Sequence, residues 1–404
     1  TCGVGACEVT VDNCVDGVLR KRGKATGKRP YADHWASVEF GKDRFQVDDN
    51  CGGIPWMLRD YAFRMGRPAS VPTRALPALG AYGIGMKRAV FKIGRTSTIW
   101  TQSGSDNYEV EISSEWMQDD AVWDIPVSPA TNRKSEDGTR ILVADLTPGA
   151  RALFGQDRQA FENELRERVE TQYAFIIEKG LEVRINGASV KPRPTKLVFA
   201  KQTPAGKRDG GIRPFIYRTE AEGVKVFLAV GLTRPIPSQE EVEHEQHEKR
   251  HSSLDAGWTV VCNDRAVLYC DRSELTGWGE AGVPNYHTQF IAISGIVEFT
   301  SDDPAKLPTT TTKRGIDTSS KLYLQVKNKM REGMQVFTDY TNRWKGRADE
   351  ARRHTEAAGE PVSLQQIKNE ARSLSLSRVQ VGVGGMQFKP SLPKPKADDS
   401  SVRR

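Results

Sequence analysis

The sequence predicts an α+β fold: an α/β sandwich domain, then a second α/β domain and a helical, partly disordered tail. Three observations predict it. Short alternating runs such as WASVEF, RFQVDD, TSTIWTQ and NYEVEISS read as antiparallel strands. Helical stretches such as ACEVTVDNCVDGVLR (6–20) and DRQAFENELRERVETQYAFII are interleaved with them. The chain has 404 residues, 37% hydrophobic and 27% charged, which suits one to three globular domains with polar extensions.

The elements follow in order. The first helix is 6–20, and the basic loop RKRGKATGKRP comes after it. WASVEF and RFQVDD pair through the turn GKD. TSTIWTQ, NYEVEISS and TRILVADL are further strands, up to about residue 146. The long helical run then leads to LEVRINGASVKP, a strand pair turning at Asn186-Gly187. KVFLAV, GWTVVCNDRAVLY and FIAISGIVEF are strands, with SQEEVEHEQHEKRHSS as a polar charged loop between them. Residues 318 to about 353 read as one long helix. From about 380 the chain is rich in Gly, Pro, Lys and Ser, which predicts disorder. The expected division is 1–150, 151–317, 318–379 and 380–404.

Composition excludes some classes. No run of about 18 apolar residues exists, so no membrane span is expected. No signal peptide is visible, and a start at Thr1 rather than Met is expected of a fragment or a processed product. The six cysteines are scattered without a CxxC pair, which favours reduced thiols in a cytoplasm over a disulfide framework or a zinc site. A net charge of +7 permits contact with nucleic acid without requiring it. No Ser-His-Asp arrangement and no phospho-accepting His box stand out.

Four short stretches carry candidate chemistry. In VDNCVDG, Asn13 and Asp16 are three apart and share a helical face. An Asn there can hold hydrated Mg²⁺ through its carbonyl oxygen, or the two are simply surface polar residues. In VDDNCGGIP, alternation puts Phe45, Val47 and Asp49 on one strand face. Asp49 can then accept a hydrogen bond from an exocyclic amine such as that of adenine. Gly52 and Gly53 let backbone approach a flat ring. Read alone, the stretch is equally a strand-ending turn. In GAYGIGMKRAVFKIG (80–94), Gly80, Gly83 and Gly85 precede Lys87 and an apolar run. Glycines before a helix expose N–H groups to phosphates, and a lysine adds a point charge. The spacing is neither a Walker A loop nor a Rossmann fingerprint. In EDGTRILVADL, Gly138-Thr139 opens a strand.

The order of these boxes resembles the GHKL ATPases, the superfamily of gyrase B, the ninety-kilodalton heat-shock chaperone, histidine kinases and MutL. The resemblance covers about residues 6–146. It is closest in appearance to the MORC ATPases, whose glycine box has the shape G-x-Y-G-x-G-x-K, filled here by Gly80, Tyr82, Gly83, Gly85 and Lys87. It implies a Bergerat-type ATP-binding domain with Asn13 on Mg²⁺. Asp49 would lie at the adenine, Gly53 and Thr139 would be further nucleotide-binding positions, and residues 54–85 would form a lid over ATP. CNDRAVLY, with Asn263, Asp264 and Arg265, looks like the strand-turn-strand of a transducer domain. EFTSDDPAKLPTTTTKRGID looks like the loop that carries a γ-phosphate lysine, with Lys313 the candidate and Arg314 its neighbour in register. The resemblance implies ATP-gated homodimerisation, with DNA or a protein client as partner.

The pattern breaks in three places. The glutamate that activates water in relatives falls at Val9, with Glu8 one residue away. One residue turns a helix by about 100°, so Glu8 points away from Asn13 unless a π-bulge intervenes. Cys51 stands where relatives carry the first glycine, so a positive φ there would be strained; a shifted register would use Asp48 and Asn50 instead. Few residues precede the first helix, where relatives carry a segment that swaps between subunits; if that segment is truly missing, weaker ATP-driven dimerisation is expected.

Two further features have ordinary readings. His244, His247 and His251 have helix-like spacing suited to a metal, but their Glu and Lys neighbours suit a solvated loop. Arg20, Lys21, Arg22, Lys24, Lys28 and Arg29 could neutralise DNA phosphates or lie in an exposed loop.

Overall fold

Cys7, Val11, Cys14, Val15 and Val18 recur at helical spacing, and all are buried along one face of α1 (Cys2–Arg22). The structure, a computed structural model, describes residues 2–22, 27–63, 90–118, 125–200, 211–248, 255–310 and 315–395. It is α+β, built on two mixed sheets. The chain falls into two units, Thr1–Arg193 with Asp302–Ala305, and Pro194–Ser301 with Lys306–Arg404.

In the first unit, β1 (Trp35–Phe40) and β2 (Phe45–Asp49) form the expected hairpin, pairing from Phe40 with Phe45 to Ala36 with Asp49. A short helix, α2 (Arg59–Phe63), follows. β3 (Gly94–Ser103), β4 (Asp106–Ile112), α3 (Ser114–Gln118), β5 (Val127–Pro129) and β6 (Gly138–Leu146) come next. α4 (Pro148–Gly155), α5 (Arg158–Gln172) and α6 (Ala174–Glu178) lead into β7 (Glu182–Ile185) and β8 (Ala188–Ser189). The eight strands run β5-β4-β3-β6-β2-β1-β7-β8, antiparallel except for β1 against β7. β7 therefore belongs to this first sheet, and the unit extends past residue 150 to Arg193. Phe40, Phe45, Phe154 and Phe161 form an aromatic cluster beneath α4 and α5. Asn186 and Gly187 turn β7 into β8 with φ of 46° and 81°, the left-handed pair a two-residue hairpin needs.

The second unit has β9 (Phe215–Ala221), β10 (Val224–Leu232), β11 (Gly257–Cys262), β12 (Arg265–Asp271) and β13 (Ile293–Thr300), with β14 (Ser377–Val379) and β15 (Gly385–Phe388) at one edge. α8 (Lys321–Arg343) lays Val326, Met330, Met334 and Phe337 against this sheet. Gly333 lets it close, because a Cβ there would run into Val230 and Phe215.

Three segments differ from the sequence expectation. The expected polar loop contains α7 (Gln239–Glu248). Ser238 and Glu241 cap its start reciprocally: Ser238 N donates to the Glu241 carboxylate, and Glu241 N donates to the Ser238 hydroxyl. The expected long helix is two, α8 and α9 (Ala348–Ala358), because Gly346 at φ 78° breaks the run. A further helix, α10 (Leu364–Glu370), carries a Ser363–Gln366 capping box. The chain past 380 is not wholly irregular, since β15 pairs antiparallel with β9.

Candidate functional site

The site lies in the first unit, where the end of β2, the start of β6 and one face of α1 meet. The β2 alternation places Phe45, Val47 and Asp49 inward. Asp48 faces the other way, where Lys134 Nζ lies 2.6 Å and an Arg140 guanidinium nitrogen 2.7 Å from its carboxylate. Of the two registers open in the sequence, this geometry buries Asp49.

Asp49 Oδ1 accepts from Cys51 N at 2.7 Å and from Thr139 N at 3.3 Å. Its Oδ2 accepts from the Cys14 thiol at 3.6 Å. Burial pushes the carboxyl up to about 6 against the pull of the hydrogen bonds from Cys51, Thr139 and Cys14. Thr139 is next to Thr101, their hydroxyls 3.3 Å apart, and Thr101 Oγ1 accepts from Ile54 N at 2.7 Å. Thr101 carries no motif and was not singled out in the sequence. Only the β3–β6 pairing, Thr101 opposite Thr139, brings it here.

Cys51 has no positive φ, so the strain expected there does not arise; the positive φ values fall on Gly52 and Gly53, at 97° and 62°. Gly53 is required by the protein itself, because a Cβ would collide with the Gln102 carbonyl. Gly138 likewise sits against the Asp49 backbone. The Arg20 guanidinium donates to the Gly53 carbonyl and so ties α1 to this turn. Burial holds Arg20 below its usual value, while Asp16 and Asp49 pull it back.

Asn13 is exposed on α1 and Asp16 half-buried. Glu8 is elsewhere on the helix: it is 1% exposed, and its carboxylate lies 3.5 Å from Arg168 on α5. α1 is α-helical throughout, with no π-turn, so Glu8 and Asn13 point about 140° apart. Asp12, also turned inward, lies 2.7 Å from the Tyr173 hydroxyl. Val9 belongs to α1, but its side chain lies outside the described residues.

The structure thus brings Asp49, Gly53 and Thr139 together and keeps Glu8 apart from Asn13. Gly80, Tyr82, Gly83, Gly85, Lys87 and Lys313 lie outside the described residues. In the second unit, the CNDR segment is a strand-turn-strand, β11 to β12, with Asn263 and Asp264 at φ 47° and 69°. The Asn263 side chain clamps Ser301, accepting from its N and donating to its carbonyl, both at 3.0 Å. His244 is exposed on α7. No helix is long and apolar enough to cross a membrane, among the described residues.

No protein-family model matches the chain, and no curated protein matches it by sequence.

Proposed function

We propose that the first unit binds ATP with Mg²⁺ in the manner of the GHKL ATPases and acts as an ATP-gated switch. The observation that carries this reading is Asp49: a buried carboxylate oriented by two backbone amides, at a strand end, beside Thr139. Such a group is suited to accept from the adenine amino group, and a guanine, which offers a carbonyl there, would be refused. Asn13 would carry the ion. Lys313, from the second unit, would contact the γ-phosphate and report it. Nucleotide would then bias two arrangements of the chain, with clamp-like homodimerisation, on DNA or another partner, as the output. The exposed Lys28 and Arg29 are the described cations of the basic loop free to face a phosphate backbone.

A second reading, binding without turnover, is favoured by Glu8. Its ion pair with Arg168 occupies the one glutamate near the first box, and the regular helix turns that glutamate about 140° from Asn13. A third, a chaperone-type ATPase on protein clients, has the same site and a different output; indifference to DNA together with client protection would single it out.

Calorimetry of ATP and GTP against wild type and Asp49→Ala tests the reading. Wild type should bind ATP and discriminate against GTP, and Asp49→Ala should lose ATP binding. Equal ATP affinity in both chains would sink the adenine assignment. Steady-state turnover, with the same variant as background, then separates the first reading from the second.

A further inference from the structure

The cysteine spacing argued against a zinc site, yet the fold brings two thiols from distant positions onto one carboxylate. Cys14 on α1 and Cys51 after β2 lie around Asp49: the Cys14 thiol donates to its Oδ2, the Cys51 backbone N–H donates to its Oδ1, and the Cys51 thiol donates to the Trp35 carbonyl at 3.6 Å. We propose that Cys14, Cys51 and Asp49 form a binding site for a soft divalent cation of the zinc class.

One ligand atom from each residue lies within 4.8 Å of the other two, and all three residues are buried. A tetrahedral zinc ion holds S at about 2.3 Å and O at about 2.0–2.2 Å, which sets ligands roughly 3.5 Å apart. Cys14 Sγ and Asp49 Oδ2 are already 3.6 Å apart. The supports are firm. Gly17 lets α1 press against the Cys51 carbonyl, where a Cβ would clash, and the two amides hold Oδ1 while Oδ2 remains to ligate. Three protein ligands leave a fourth position for water, the pattern of an accessible site rather than a closed structural one.

Charge also suits a cation. The hydrogen bond with Cys51, then burial, push the Cys14 thiol well above its usual value. The hydrogen bond with Cys14 pulls Cys51 down, but burial and Asp49 push it up, and the net shift is upward. A divalent ion reverses this: each thiol gives its proton to water as a sulfur–metal bond forms, with no change of oxidation state. Two thiolates, a carboxylate and the ion sum to one negative charge, next to the Arg20 guanidinium. A disulfide between the same thiols would leave the carboxylate unused.

Occupancy has a consequence that rests on the adenine reading. Oδ2 bound to the cation no longer accepts from the base, so metal and nucleotide compete.

The test uses the reduced full chain titrated with Co²⁺, followed by displacement with Zn²⁺. One equivalent should bind with a sulfur-to-cobalt charge-transfer band. Cys14→Ser with Cys51→Ser should lose the band, and Cys262→Ser should keep it. X-ray absorption of the zinc-loaded wild type, which depends on no variant folding, should show two sulfur neighbours. A shell of nitrogen and oxygen alone, or a band that survives the double substitution, overturns the site. Adenosine, which has no phosphate to chelate the ion, should bind at least tenfold more weakly to the zinc-loaded chain. Sulfur ligation in a chain that binds no adenosine in either state upholds the site and refutes the nucleotide reading. Adenosine binding with no sulfur in the shell refutes the site alone.

Discussion

Asp48 and Asp49 are adjacent, and β2 sends them to opposite environments. Asp48 meets Lys134 and Arg140 near solvent, while Asp49 is enclosed between α1 and the start of β6. Burial raises the folded-state pKa of Asp49 to about 6, above the value near 4 of an unfolded carboxyl. Between these values the folded chain holds the proton more tightly, so this group's contribution to stability falls as pH rises from about 4 to about 6. The loss is on the order of 2–3 kcal/mol. Urea denaturation of the metal-free chain should show it as a pH-dependent gap between wild type and Asp49→Asn. A gap that stays constant over that window would mean Asp49 titrates normally. Tyr173 gives a second prediction at this scale. Its hydroxyl serves the buried Asp12, so Tyr173→Phe should destabilise by about 1–3 kcal/mol in the same measurement. Asp49 was legible from alternation alone, because a strand has a period of two. Thr101 and the Cys14–Cys51 pair were not, since cross-strand and helix-to-turn neighbours carry no signature in spacing.

At the level of elements, α1 depends on a close approach. The sequence led to the expectation of a helix over 6–20, but did not single out its buried face or Gly17, whose missing side chain admits the Cys51 carbonyl. Gly17→Ala should therefore destabilise by about 1–3 kcal/mol, although alanine is the better helix former. A stability gain would show that α1 has room to move. This change should also weaken ATP and cation binding together, because both use the turn that α1 braces. Local chemistry explains the differences in other elements. The Ser238–Glu241 capping box was present in the sequence and outweighs the polar composition that suggested a loop. Gly346 marks the break between α8 and α9. β15 has a weak pattern of its own and forms through its pairing with β9.

For the molecule as a whole, the extent of the first unit is the main revision. The sequence resemblance ended near residue 146, but β1 in the middle of that domain pairs parallel with β7, and α5 covers the same core through Phe161, Leu165 and Val169. A fragment of residues 1–193 should fold cooperatively, whereas 1–150 should be insoluble or molten, with Val38 and Val11 uncovered. Amide exchange on both fragments checks this. Protection of β1 in the shorter one would show that β7 is dispensable.

By itself the sequence determined the alternation of strands and helices, the hairpin turn at Asn186-Gly187, and the inward register of Asp49. These are set by periods and turn chemistry within a few residues. Only the tertiary structure decided that Glu8 is committed to Arg168, that residues past 150 complete the first sheet, and that Cys14 and Cys51 share a carboxylate. Each of those depends on which faces pack together, and packing joins residues whose separation along the chain carries no information about their distance in space.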